Sequence, residues 1–227
     1  MRSVSWIGLF CLVAASACAK FPDQNAAAGT KRLTFTFTMD QAINPNFVYI
    51  VALRPSTDVN PTDQGPIPVI QPPWGNGFVA GNCTYFMLWN PSNSPAFGLY
   101  QFIDANLINY QLIGTPVVTQ PVQSGDRGMR FDIDLSQLGG QTLSDTYKSI
   151  QINFLTMDRI PTGGAGSKTW DALGDNRLPS QINSPISIDL RTSGTYNNAF
   201  FLNLEPQGDT PDPTIDIIDF SVEVRLF

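Results

Sequence analysis

The sequence predicts an all-β protein, an antiparallel β-sandwich of the immunoglobulin or jelly-roll kind with about ten strands. Residues 33–39 and 129–135 alternate strictly between apolar and polar side chains, as strands with one buried face do. No segment carries a long 3.6-residue period, and turns rich in glycine, proline and asparagine separate the apolar stretches. We therefore expect residues 31–227 to form a single sandwich domain.

The remaining strands are predicted from apolar content between turn residues. Residues 47–53 are apolar at both parities, which is typical of a central strand buried on both faces. In the last strand, residues 215–227, the adjacent Ile217 and Ile218 shift the apolar parity. The shift predicts either a β-bulge or a stretch buried on both faces. Further strands are expected at residues 78–90, 97–103, 109–118, 149–157, 186–190 and 199–204.

A long proline-rich loop is expected at residues 54–77, which contain six prolines. Proline removes the backbone donor that a sheet ladder needs, so this segment is not a central strand. Loops of this length inside one domain are usually functional or disordered.

The first residues predict an exported protein. Residues 1–17 carry one arginine, a short apolar run and small residues before Cys18, the layout of a signal peptide. This arrangement resembles the lipobox of bacterial lipoproteins. The resemblance implies cleavage before Cys18, a diacylglycerol on its thiol, and anchoring to the lipid bilayer of the bacterial cell envelope through a tether of residues 18–30. The alternative is plain cleavage after Ala17 without a lipid.

Charge and composition exclude several classes of function. Without Arg2 the mature chain has 12 basic and 19 acidic residues, and its net charge of −7 disfavours nucleic acid as a partner. The chain has no histidine, which removes serine–histidine and cysteine–histidine catalysis and ordinary zinc sites. Cys83 is the one cysteine left after processing and lipidation, and its apolar surroundings predict burial rather than reactivity.

A glycine-rich stretch at residues 162–169 is similar to a phosphate-binding loop. That motif needs lysine directly after glycine, whereas Ser167 separates Gly166 from Lys168. We therefore expect no nucleotide site there.

Two loop tryptophans are candidates for ligand binding. Trp170 is followed by Asp171 and Asn176, and Trp74 is followed by Asn76. A sugar needs an apolar ring face together with groups that bind its hydroxyls, and a calcium ion needs several oxygen ligands. The alternative is that Trp170 closes the end of the sandwich while the aspartates cap turns.

Acidic residues are densest near the C-terminal end. We expect Asp209, Asp212 and Asp216 to converge on a hard cation, calcium, because clustered carboxylates repel one another unless neutralised. The spacing does not match an EF-hand. The alternative is a solvated acidic loop beside a polar strand face.

The opening strand at residues 33–37 and the closing strand at residues 216–224 resemble those of DOMON domains and family 9 carbohydrate-binding modules. The resemblance implies a secreted β-sandwich that binds sugar or haem, in some members with structural calcium. Haem is not expected, because its axial ligands in that group are methionine with histidine or lysine. Here histidine is absent and Met87, Met129 and Met157 lie in apolar strands.

Three functional hypotheses follow. The first is a non-catalytic, envelope-anchored lipoprotein that binds carbohydrate through loop aromatics. The second is an accessory subunit of a cell-surface assembly that contacts an envelope protein through the proline-rich loop and an edge strand. The third, least favoured, is a carboxylate-dependent glycoside hydrolase.

Overall fold

The computed structural model describes residues 30–161, 163, 166–174 and 184–227. The expected signal peptide, Cys18, the tether up to residue 29 and Asn176 lie outside the described residues. The described residues form 14 strands: β1 (Lys31–Met39), β2 (Val48–Ser56), β3 (Pro66–Pro68), β4 (Val79–Gly81), β5 (Tyr85–Trp89), β6 (Phe97–Phe102), β7 (Tyr110–Gly114), β8 (Val118–Thr119), β9 (Gly128–Asp134), β10 (Ser149–Met157), β11 (Trp170–Ala172), β12 (Ile186–Asp189), β13 (Gly194–Asn197) and β14 (Ile217–Leu226).

Twelve of these strands build two packed antiparallel sheets, which confirms the predicted all-β sandwich. The smaller sheet has the order β13-β14-β1-β9-β8, and the larger has β11-β10-β2-β5-β6-β7, with β12 also paired to β10. A 3₁₀ turn (Leu135–Gln137) and a short helix α1 (Gln141–Ser144) join β9 to β10. No helix in the described part of the chain has the length and apolar character needed to cross a membrane.

The main core lies between the two sheets. Phe35 and Phe131 of the smaller sheet stack at 5.0 Å between ring centroids, and Phe154 of the larger sheet meets Phe35 edge-on at 6.4 Å. Alternating apolar residues on facing strands interdigitate in this way in sandwiches. The strict alternation seen in β1 and β9 therefore marks their inner faces.

A second apolar layer covers part of the outer face of the larger sheet. In β2, Tyr49 and Val51 belong to the main core while Ile50 and Ala52 belong to the outer layer. This placement confirms that β2 is a central strand buried on both faces.

The proline-rich segment, residues 54–77, covers the part of the same outer face that lies over β10. Three outward side chains of β10 hold its backbone carbonyls: Ser149 Oγ donates to Asp58 at 2.6 Å, Gln151 Nε2 to Asp63 at 3.1 Å and Asn153 Nδ2 to Pro66 at 3.0 Å. Because alternate residues of a strand share a face, these three donors form a row. The segment also enters a two-stranded ribbon through β3, which pairs with β4.

Of the two alternatives predicted for the last strand, the β-bulge is present. Thr38 pairs with Asp219 and Met39 pairs with Ile217, so Ile218 is the extra residue of β14. The bulge lets Ile217 and Phe220 both face the core.

The prediction of a strand at residues 199–204 is wrong. These residues form turns, and Leu202 and Asn203 have φ near +60°, a conformation that a strand does not contain. The edge strand there is β13, which precedes them. The strands expected at residues 78–90 and 109–118 are each divided by a turn, and β8 belongs to the other sheet.

Candidate functional site

Trp74 is covered rather than open. Its side chain is 5% exposed, and the Lys168 ammonium lies 5.5 Å from its ring centroid while donating to the Gly77 carbonyl at 2.8 Å. Burial lowers the pKa of Lys168 to about 8, against the opposing effect of the Asp158 carboxylate. This placement corrects the expectation of an open stacking surface at Trp74.

Asn76 is committed to the fold. Its Nδ2 donates to the carbonyls of Val79 and Leu107 at 2.7 Å each, and its Oδ1 accepts from the amides of Phe78 and Val79 at 2.9 Å each. These four bonds use the capacity of the side chain. Asn76 thus joins the end of the proline-rich segment to the turn after β6. This structural role corrects the expectation that Asn76 contacts a ligand.

Trp170 opens β11 and pairs with Met157 of β10. Its ring is half-buried against the outer apolar layer. This arrangement gives the tryptophan a packing role, but on the outer face of the larger sheet rather than at the end of the sandwich.

Asp171 instead joins a buried acidic cluster with Asp209 and Asp216. One carboxylate oxygen from each of the three lies within 4.8 Å of the others. Asp171 and Asp216 are almost fully buried, at 0% and 1% exposure. We call these three residues the acidic cluster.

The structure brings together two of the three expected metal ligands, Asp209 and Asp216, and it does not place Asp212 with them. Asp212 does not face the cluster: its Oδ1 accepts from the Thr214 amide at 2.9 Å and from the Thr214 hydroxyl at 2.7 Å. It caps the turn before β14. Asp171 takes its place, from a segment that the sequence assigned to sugar or calcium binding.

Two backbone amides orient the acidic cluster. The Ile217 amide donates to Asp171 Oδ2 at 2.6 Å, and the Gly208 amide donates to Asp216 Oδ2 at 2.8 Å. Gly208 has φ of +86°, which glycine adopts without strain. That backbone conformation turns the loop so that the following Asp209 meets the two buried carboxylates.

Cys83 is buried, as the sequence predicts. Its side chain is 8% exposed, and burial raises the pKa of its thiol to about 12. A thiol held protonated in this way is a poor nucleophile. It packs in the outer apolar layer.

An exposed aromatic surface lies on the outer face of β6 and β7. Tyr100 and Tyr110 meet edge to face, with 5.7 Å between ring centroids and an interplanar angle of 88°. Tyr110 is 44% exposed and Leu112 is 51% exposed. We call Tyr100, Tyr110 and Leu112 the tyrosine shelf.

Cross-strand pairing builds the tyrosine shelf. Tyr100 pairs with Phe86 of β5 on one side and with Leu112 of β7 on the other, so the three side chains share a face. The Tyr100 ring stacks on Phe86 at 5.0 Å and 10° between planes. A Cβ placed on Gly98 would lie 2.5 Å from the Tyr100 ring, so glycine there makes room for that ring.

The tyrosine shelf is a candidate site that the sequence pattern did not predict. Both parities of residues 97–102 contain aromatic or aliphatic side chains, so the alternation does not distinguish a buried face from an exposed one. The available signal was tyrosine itself, because its hydroxyl favours a half-exposed position over a dry interior.

Taken together, the described residues define an all-β sandwich with a buried acidic cluster at one end and an exposed aromatic surface on one outer face. Comparison of the chain with protein-family models, with curated proteins and with solved structures finds no match.

Proposed function

We propose that this chain is a non-catalytic binding lipoprotein of the bacterial cell envelope that recognises carbohydrate on the tyrosine shelf. The observation that carries the proposal is the perpendicular pair Tyr100 and Tyr110, held on an open sheet face. This proposal keeps the glycan hypothesis and moves its aromatic contacts from the tryptophans to the tyrosines.

The geometry of the shelf suits a pyranose ring. The C–H face of a sugar packs on an aromatic face, and a second ring at a right angle supports its edge. In the described part of the chain no hydrogen bond engages the Tyr100 or Tyr110 hydroxyl, which leaves both phenols for sugar hydroxyls. Leu112 extends the apolar floor beside them.

The shelf is uncharged, and this favours a neutral glycan. The protein as a whole carries a net charge of −6 including its N-terminal residues, so it repels polyanionic polysaccharide at low ionic strength. Uronate-rich or phosphorylated polymers are therefore poorer candidates than neutral ones.

The proposed lipid anchor would be attached to the sandwich at the end where β1 begins. β1 begins at Lys31, whose Nζ donates to the Tyr147 carbonyl at 3.0 Å, and Thr30 accepts from the Phe227 amide at 3.1 Å. A lipid on Cys18 would place that end toward the bilayer. The long axis of β1 would then carry the acidic cluster about 25–30 Å further from the membrane.

A glycan array followed by affinity gel electrophoresis tests the proposal. We expect Tyr100→Ala and Tyr110→Ala each to weaken binding to a retained neutral polysaccharide about tenfold, or about 1.4 kcal/mol. Phe200→Ala is the matched control, because Phe200 is 61% exposed but follows β13 in the other sheet. Equal binding by wild type and both tyrosine variants contradicts the proposal.

The second candidate is an accessory subunit of a surface assembly. Within the described residues β7 pairs only with β6, and the neighbouring Val117 and Val118 are 43% and 46% exposed. An uncharged edge strand beside exposed apolar residues is a template for strand addition by a partner. Val118→Lys distinguishes the candidates, since it should abolish a stoichiometric envelope complex while leaving glycan binding unchanged.

A further inference from the structure

We infer that the acidic cluster is a calcium site that ties the loop before β14 to β11. This inference is independent of the tyrosine shelf, which lies on a different face. It concerns Asp171 of β11 together with Asp209 and Asp216 of the loop before β14.

The spacing of the carboxylates fits a hard cation. Calcium binds oxygen at about 2.3–2.6 Å, so two ligands on opposite sides of the ion stand about 5 Å apart. The three oxygens of the cluster lie within 4.8 Å of one another. Oxygens this close together can share one calcium ion after small side-chain adjustments.

The second observation is an unsatisfied oxygen on Asp216. Its Oδ2 accepts from the Gly208 amide, whereas its Oδ1 is buried and has no hydrogen-bond partner. Asp216 as a whole is 1% exposed. An unpaired carboxylate oxygen in the interior is costly, and a bound cation supplies the missing partner.

The donor set selects the class of metal. All three ligands are carboxylates, the chain has no histidine, and Cys83 lies in the outer apolar layer. Oxygen-only ligation suits calcium or magnesium rather than zinc or copper. Three protein carboxylates favour calcium, because magnesium usually keeps several waters and takes one or two carboxylates.

The ion would join two elements that already contact each other. Thr210 Oγ1 donates to the Trp170 carbonyl at 3.3 Å, and the Ile217 amide binds Asp171. A cation adds a further connection between β11 and the loop, at the point where that loop enters β14. Calcium therefore stabilises the end of the sandwich where β14 begins.

Thermal unfolding of the chelator-treated, dialysed protein tests the site. Adding calcium at about 100 times its dissociation constant should raise Tm by about 5 °C or more. Asp216→Asn and Asp209→Asn should lose the calcium-dependent rise, and Asp212→Asn should keep it. Asp212 is the matched control because it belongs to the same loop and caps Thr214 instead.

Terbium luminescence gives a second reading that does not depend on folding of the variants. Terbium replaces calcium in oxygen sites, and Trp170 directly precedes Asp171 as a sensitiser. We expect saturable emission that calcium displaces. An unchanged Tm with calcium together with no displaceable emission overturns the inference, and a calcium-dependent rise retained by Asp216→Asn does so as well. Neither result affects glycan binding by the tyrosine shelf.

Discussion

The outer face of the larger sheet is covered over β10 and open over β6 and β7. Over β10, Ser149, Gln151 and Asn153 form a row of donors that bind carbonyls of the proline-rich segment. Over β6 and β7, the outward positions carry Tyr100, Tyr110 and Leu112. The comparison shows that outward side chains decide whether a sheet face holds a neighbouring segment or remains available to a ligand.

The two halves meet at Phe78, next to the proline-rich segment. Its ring packs on Phe86 at 5.0 Å and reaches Tyr110 edge-on at 6.1 Å. The cover therefore supports the inner edge of the tyrosine shelf. Substitutions in the covered half should mainly lower stability, whereas substitutions in the open half should also weaken ligand binding.

The largest effect is expected at the covered half, from Asn153→Ala. Asn153 is fully buried, donates to Pro66 and accepts from the Leu173 amide at 3.0 Å. The substitution leaves a buried carbonyl and a buried amide unpaired, so the free energy of unfolding should fall by about 2–3 kcal/mol in urea denaturation. Ser187→Ala, at an exposed position of β12, should change it by less than about 0.5 kcal/mol. If Asn153→Ala also lost less than about 0.5 kcal/mol, the row of donors on β10 would not be what holds the proline-rich segment in place.

A smaller effect on stability, with a clear effect on binding, is expected from Gly98→Ala. The new Cβ would meet the Tyr100 ring at 2.5 Å, so the ring must move. We expect a loss of about 1–2 kcal/mol in stability together with weaker glycan binding and a changed near-ultraviolet circular dichroism spectrum.

Gly128→Ala is the control for that change, because a Cβ at Gly128 would lie 3.5 Å from its nearest neighbour. It should leave glycan binding and the spectrum unchanged. Unaltered glycan binding by Gly98→Ala would show that ligand recognition does not depend on the position of the Tyr100 ring.

The smallest effect concerns the pH dependence of the covered half. Burial lowers the pKa of Lys168 from 10.5 to about 8, so between these values the unfolded chain binds more protons than the folded one. The contribution of Lys168 to the free energy of unfolding therefore rises from pH 8 to pH 10.5.

Lys168→Met should remove that rise. The check is the difference in unfolding free energy between pH 7.5 and pH 9.5, measured for wild type, Lys168→Met and the exposed control Lys148→Met. Other titrating groups are common to all three proteins and cancel. If Lys168→Met shows the same pH dependence of the unfolding free energy as wild type, the Lys168 ammonium is not buried as described.

The sequence predicted features that depend on local alternation. The bounds of β10 are those expected, the bulge at Ile218 follows from the parity change, and the burial of Cys83 follows from its apolar neighbours. Each is visible within about ten consecutive residues. Local patterns of this kind reflect which face of a strand is buried.

Features that depend on distant segments were not predicted. Trp74 is loop-like in sequence, yet Lys168 covers it from 94 residues away. Asp171 enters the acidic cluster because β11 and the start of β14 meet in space, whereas the nearer Asp212 binds its own turn. Spacing along a chain does not report which carboxylates converge across a fold.

The pairing of β1 with β14 has a consequence for the order of folding. β14 lies between β13 and β1 in the smaller sheet, yet it follows every other strand along the chain. Until residues 217–226 have been synthesised, β13 has no neighbour and one long edge of β1 is bare. The smaller sheet can therefore be completed only after the last strand is made, and a chain truncated before residue 217 lacks the strand that joins β13 to β1.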